Sequence, residues 1–140
     1  MIPDFEENGN LPPGIYVVNI EEVVKRFGGS KSLVRSHLTK SLRTFYNFIK
    51  FQPCEVYING SYTTNKLSPT DIDILVIRSP DFRNNIDAMI RLGHFKKHSK
   101  DYGLHIQSPV KSIDDDEIDF FWDWFQHDRD KNAKGIIRLR

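Results

Sequence analysis

Asn59-Gly60-Ser61, followed ten residues after Ser61 by Asp71-Ile72-Asp73-Ile74, is the stretch on which the reading of the fold turns. The residues just before it, Cys54-Glu55-Val56-Tyr57-Ile58-Asn59, have the β-branched and aromatic content of a short buried strand. Gly60 then removes the side chain where the backbone must turn sharply, and Ser61 adds a hydroxyl at the turn. A second strand is expected over residues 71–77. Its two-residue period sets Asp71 and Asp73 on one face and Ile72 and Ile74 on the other. Two carboxylates so placed among apolar neighbours repel each other, and a hard cation between them relieves the repulsion. The alternative is a structural turn followed by two exposed strand acids.

Outward from this motif, Leu11-Pro12-Pro13-Gly14 is a breaker cluster. It separates residues 1–14, an N-terminal arm that lies on the domain or hangs free, from a single domain over residues 15–140. Asn19 with Glu22 reads as a helix cap, opening a short helix that Gly28-Gly29 closes. Ser30 is expected to cap a longer helix over residues 31–50, with Val34, Leu38, Leu42, Phe45 and Ile49 as its buried stripe. Ile86, Met89 and Ile90 suggest a third helix that ends near Gly93, followed by a basic connection. Residues 102–110 form the next strand candidate. Asp114 to Glu117 suit the start of a helix carrying Ile118, Phe121, Trp122 and Phe125, in which Trp124 falls off the apolar face and is the member expected to meet a partner. Gly135-Ile136-Ile137-Arg138-Leu139 reads as a final edge strand. The fold class is therefore α/β in content (α+β), a small mixed β-sheet flanked by helices.

With 140 residues the chain is large enough to bury a core without staples. Cys54 is its only cysteine, which excludes an internal disulfide and suits a small buried hydrophobe. An acidic start without an apolar signal region and the lack of a long apolar run predict a cytoplasmic protein with no membrane span. The formal net charge of +1 conceals segregation. No acidic residue falls between Glu22 and Glu55, where Lys25, Arg26, Lys31, Arg35, Lys40, Arg43 and Lys50 are all basic. A second basic patch contains Arg91, Lys96, Lys97 and Lys100, with His94 and His98 interleaved. These are either solvated helix faces or a positive surface that attracts a triphosphate or RNA. His37, His94, His98 and His127 have no metal-ligand spacing with a cysteine pair.

The strand, glycine-serine turn and Asp-x-Asp strand together resemble the signature of the polymerase-β-type nucleotidyltransferase superfamily, complete here between Val56 and Val76. A wider similarity reaches small stand-alone nucleotidyltransferase-like proteins of bacteria and phages, including the minimal enzymes of toxin–antitoxin modules. It is carried by Leu11-Pro12-Pro13-Gly14-Ile15, Gly60-Ser61-Tyr62-Thr63-Thr64, Ser68-Pro69-Thr70-Asp71-Ile72-Asp73, and the stretch from Phe125-Gln126 to Gly135-Ile136-Ile137-Arg138. The resemblance implies the nucleotidyltransferase fold and transfer of a nucleoside monophosphate from an NTP to a hydroxyl of a protein or RNA, tRNA among them. It implies that Gly60, Ser61 and Thr64 hold the phosphates and that Asp71 and Asp73 are the catalytic ligands of Mg2+ or Mn2+. A cognate partner chain is a further implied partner.

That family pattern has a third carboxylate on the strand beside Asp-x-Asp, and Tyr102-Gly103-Leu104-His105-Ile106-Gln107 offers His105 there. Imidazole is a poor magnesium ligand. The alternative function is thus a catalytically impaired relative that binds nucleotide or a partner protein in a regulatory role.

Overall fold

The computed structural model describes residues 1–29, 32–112 and 116–140. Strands β1 (Ile15–Val18), β2 (Cys54–Asn59), β3 (Ile72–Arg78), β4 (Leu104–Gln107) and β5 (Ile136–Leu139) form one mixed sheet in the order β1-β5-β2-β3-β4. The central strand β2 is antiparallel to β3 and β5, while β1 runs parallel to β5 and β4 parallel to β3. Helices α1 (Ile20–Phe27), α2 (Leu33–Ile49), α3 (Ile86–Lys97), α4 (Ser99–Tyr102) and α5 (Asp116–Phe125) flank it. The expected class, α+β with a small mixed sheet flanked by helices, is the one the chain adopts.

Alternation along the strands sorts the core into two layers. Val56, Ile58, Ile72, Ile74, Val76, Leu104 and Ile106 pack with α1, α2 and α3 through Phe27, Leu42, Phe45 and Phe95. Tyr57, Leu75, Ile77 and Ile136 point the other way and pack with Ile118 and Phe125 of α5. Each fully buried aliphatic side chain contributes roughly 1.5–3 kcal/mol, so both faces are strongly specified and the register cannot slip by one residue. Asp73 and His105 belong, by the same alternation, to the α5 face.

Several elements depart from the sequence expectation. β1 was not foreseen, because Ile15-Tyr16-Val17-Val18 is short and its pairing partner is β5, at the far end of the chain. β5 is therefore an inner strand rather than an edge. α3 runs through Gly93 to Lys97, since Leu92 and Phe95 are buried on either side of it and outweigh the roughly 1 kcal/mol that glycine costs a helix. The residues read as a basic connection are its last turn, where His94, Lys96 and Lys97 complement the helix dipole. β4 is shorter than residues 102–110: α4 occupies its expected start, and Gly103 at φ +68° ends that helix.

The cap of α1 is Asn19, whose side chain accepts from Glu22 N, as expected. Ser32 caps α2, accepting from Arg35 N. Ser30, Lys31, Asp114 and Asp115 lie outside the described residues. The N-terminal arm lies on the domain. Leu11 is fully buried, Phe5 packs on Phe27, and Arg26 sits over the Phe5 ring while donating to Pro3 O. Among the described residues no helix is long and apolar enough to cross a membrane.

Candidate functional site

Where β2 ends and β3 and β4 begin, Asn59, Asp73 and His105 are register neighbours across three strands. Gly60 follows with φ +93° and ψ −172°, a conformation that essentially only glycine adopts. A Cβ there would stand 2.9 Å from Asp73 N and 3.3 Å from both Cγ and Oδ2 of Asp73. The turn is thus seated directly on the carboxylate, and the missing side chain is what permits it.

The turn is held from below. Ser61–Thr63 forms a single 3-10 turn, within which Tyr62 is fully buried. The Tyr62 hydroxyl lies 2.7 Å from Thr39 Oγ1, and its ring packs against Phe27. Arg35, only 8% exposed, donates from Nη1 to Phe27 O and Tyr62 O at 2.9 and 2.8 Å, and from Nη2 to Thr64 O at 2.8 Å and to Lys66 O. One guanidinium therefore gathers four backbone carbonyls around the turn. Burial pushes its pKa down from the usual arginine value.

The loop between the turn and β3 closes through hydroxyls. Ser61 Oγ accepts from Thr70 N at 3.2 Å, tying the turn to the residue before Asp71. Thr64 Oγ1 donates to Ser61 O and accepts from Lys66 N, so this expected phosphate ligand spends its hydroxyl on the loop itself.

Asp71, half-buried, immediately precedes β3, and Asp73 is its second residue. The Asp73 side chain is 28% exposed. Burial and the charge of Asp71 push its carboxyl above the ordinary value, against the opposing pull of His105 and Lys134. His105 Nδ1 lies 3.5 Å from Asp73 Oδ1. The imidazole thus faces Asp73, at the β4 position where the sequence reading expected a third carboxylate. Lys134, 6% exposed, donates from Nζ to Gly60 O at 3.2 Å. Burial lowers its pKa, while the charges of Asp73 and Asp128 act to raise it. Beyond His105, the ring of Trp124 stands 6.5 Å away and nearly perpendicular, 46% exposed as its place off the apolar face suggested.

The donor set decides which metal the site fits. Among the described residues no three or more His, Cys, Asp or Glu side chains form a group able to hold an ion by themselves. Two neighbouring carboxylates without further protein ligands among these residues fit a hard cation that keeps its waters and borrows ligand oxygens, and they do not fit a closed structural zinc centre. The structure brings Gly60, Ser61, Asp71, Asp73 and His105 together. The sequence reading had passed over Arg35, Tyr62 and Lys134. Arg35 was read with its basic run as either a solvated helix face or a positive surface, whereas it is buried on backbone carbonyls.

A glycine turn seated on a strand carboxylate, at one end of a mixed sheet in an α+β domain, defines this protein. The chain belongs to a family described as one of unknown function, DUF6932, whose model matches residues 3–140. Comparison with curated proteins and with solved structures returns no match.

Proposed function

We propose that this protein is a metal-dependent nucleotidyltransferase of the polymerase-β type, transferring a nucleoside monophosphate from an NTP to a hydroxyl of a protein or RNA acceptor. The observation that carries the reading is the seating of the Gly60 turn on Asp73, with Asp71 beside it. Such a turn offers backbone N–H groups and the Ser61 hydroxyl to phosphate oxygens. Asp71 and Asp73 are the residues to hold Mg2+ or Mn2+. A bound divalent cation would neutralise triphosphate charge and lower the pKa of the acceptor hydroxyl. In the reaction, the acceptor hydroxyl releases its proton to solvent and its oxygen bonds to the α-phosphorus as the bond to the bridging oxygen breaks and pyrophosphate leaves. Lys134 holds Gly60 in place and offsets the negative charge of Asp73. The exposed indole of Trp124 is suited to stack on a base.

A second reading is favoured by one observation, the imidazole of His105 at 3.5 Å from Asp73 in place of a carboxylate. In that reading the chain binds a nucleotide with its cation and transfers nothing.

Incubation with each of the four α-labelled NTPs and Mg2+ or Mn2+, with total RNA or cell protein as acceptor, separates the two. Label transfer that disappears in Asp71→Asn and Asp73→Asn is the expected result. Cation-dependent quenching of Trp124 fluorescence by nucleotide, measured in a Trp122→Phe background and unaccompanied by label transfer, would support the impaired form. Absence of both would overturn the nucleotide reading altogether.

A further inference from the structure

A cleft of about 1070 Å³ opens at the other end of β3 and β4, between α3, the segment after β4 and Phe121 of α5. Arg78, Arg83, Lys96 and Lys111 line it, together with Ser108. No acidic residue stands among the described residues of its wall. Arg78 Nε donates to Ser108 O at 2.8 Å and Lys96 Nζ to Ser108 Oγ at 2.9 Å, so these two cations converge on a neutral residue rather than on a carboxylate. Burial and Arg83 hold Arg78 below its ordinary pKa, and burial and Arg78 do the same to Lys96. Arg78 is half-buried while Arg83, Lys96 and Lys111 are exposed, so the wall presents like charges toward solvent, and an anion bridging them relieves their repulsion.

The shape selects among anions. Four cations spread over an open cleft of this size exceed what a single phosphate needs, and an aromatic side chain on the wall suits a base. The cleft and the carboxylate site both draw on β4. Gln107 lines it and lies two residues along the edge strand β4 from His105, roughly 7 Å at strand spacing.

We propose that this cleft binds single-stranded nucleic acid through its phosphodiester backbone, with Arg78, Arg83, Lys96 and Lys111 as the phosphate contacts. Binding in the cleft stands on its own geometry. Only the corollary, that a bound RNA strand is the acceptor whose end reaches Asp73, rests on the nucleotidyltransferase reading.

Fluorescence anisotropy with 12-mers of oligo-U and oligo-dT, titrated against the full chain from 50 to 200 mM salt, tests it. Four phosphate contacts on a single strand predict a log–log salt slope of about −2.8, hence roughly 50-fold weaker binding over that range. The double variant Arg83→Ala/Lys111→Ala, which leaves Arg78 and Lys96 in place, should halve the slope to about −1.4 and reduce the salt effect to about sevenfold. Asp73→Asn should bind as the wild type does. The proposal is overturned by no binding of either oligomer at 50 mM salt, by a slope unchanged in the double variant, or by phosphatidylserine vesicles binding with the same variant sensitivity while oligomers do not. Oligomer binding without label transfer would remove the nucleotidyltransferase reading and leave the cleft. Label transfer without oligomer binding would do the reverse.

Discussion

Arg35→Ala is the perturbation that most directly tests how the turn is built. The guanidinium donates to four backbone carbonyls, two of them, Phe27 O and Tyr62 O, in fully buried bonds. Water can replace the lost partner at Thr64 O and Lys66 O, which are less enclosed. At the two buried carbonyls it cannot, and a hydrogen bond to a charged group is worth about 1.5–3 kcal/mol there. The desolvation of the guanidinium, visible in its lowered pKa, returns part of that sum when the side chain is removed. The expected net loss is about 3–4 kcal/mol, or roughly 10 °C in Tm for a domain of this size. Urea and thermal unfolding followed by far-UV circular dichroism give the total, and amide exchange at residues 62–67 shows whether the loss is local. Arg35→Lys keeps the charge but cannot span four carbonyls, so about half the loss should remain. A loss below about 1 kcal/mol in Arg35→Ala, or an Arg35→Lys variant as stable as the wild type, would refute the clamp.

Three further outcomes are expected. Gly60→Ala should cost about 1–3 kcal/mol from the backbone conformation alone, and more from overlap with Asp73 N, as read by urea midpoints. In divalent-free buffer the folded state holds the Asp73 proton more tightly than the unfolded chain, so the wild type should lose stability relative to Asp73→Asn as pH rises above the ordinary value of 3.8, with Mg2+ or Mn2+ reversing the difference. A gap that is constant across pH 4–7, measured by denaturant midpoints, would contradict this. Burial pushes the Cys54 thiol up to about 11, so thiolate at pH 8 is only about 0.1% and alkylation should be slow until the protein is unfolded.

Local patterns were legible in the sequence, whereas distant pairings were not. Two strands of alternating or continuous apolar residues, a cap at Asn19 and a turn at Gly60 are each written within a few adjacent residues. That Asp73 lies opposite Ile72 and Ile74 follows from the two-residue period alone. By contrast, β1 consists of four residues whose identity as a strand depends on β5, and no local signal carries that information. The continuation of α3 through Gly93 depends likewise on Leu92 and Phe95 meeting the core. In the candidate site, Gly60, Ser61, Asp71 and Asp73, which the structure brings together, were legible because they are clustered in sequence. Lys134 and Arg35 reach the same turn from distant parts of the chain, one from a tail that reads as ordinary basic residues and the other from a helix with many cations. His105 was named only through the family resemblance, and the register pairing with Asp73 gave it a neighbour.

The strand order has a consequence for synthesis. Since β5 lies between β1 and β2, the strand made first has no partner in the sheet until residues 136–139 have emerged. Until then β1 and one edge of β2 both present unpaired backbone, the arrangement most open to association with other nascent chains. Lys134, which donates to Gly60 O, lies two residues before β5 and is made with it. The sheet is therefore closed only once β5 has been made, and a chain interrupted before Ile136 would leave β1 and that edge of β2 unpaired.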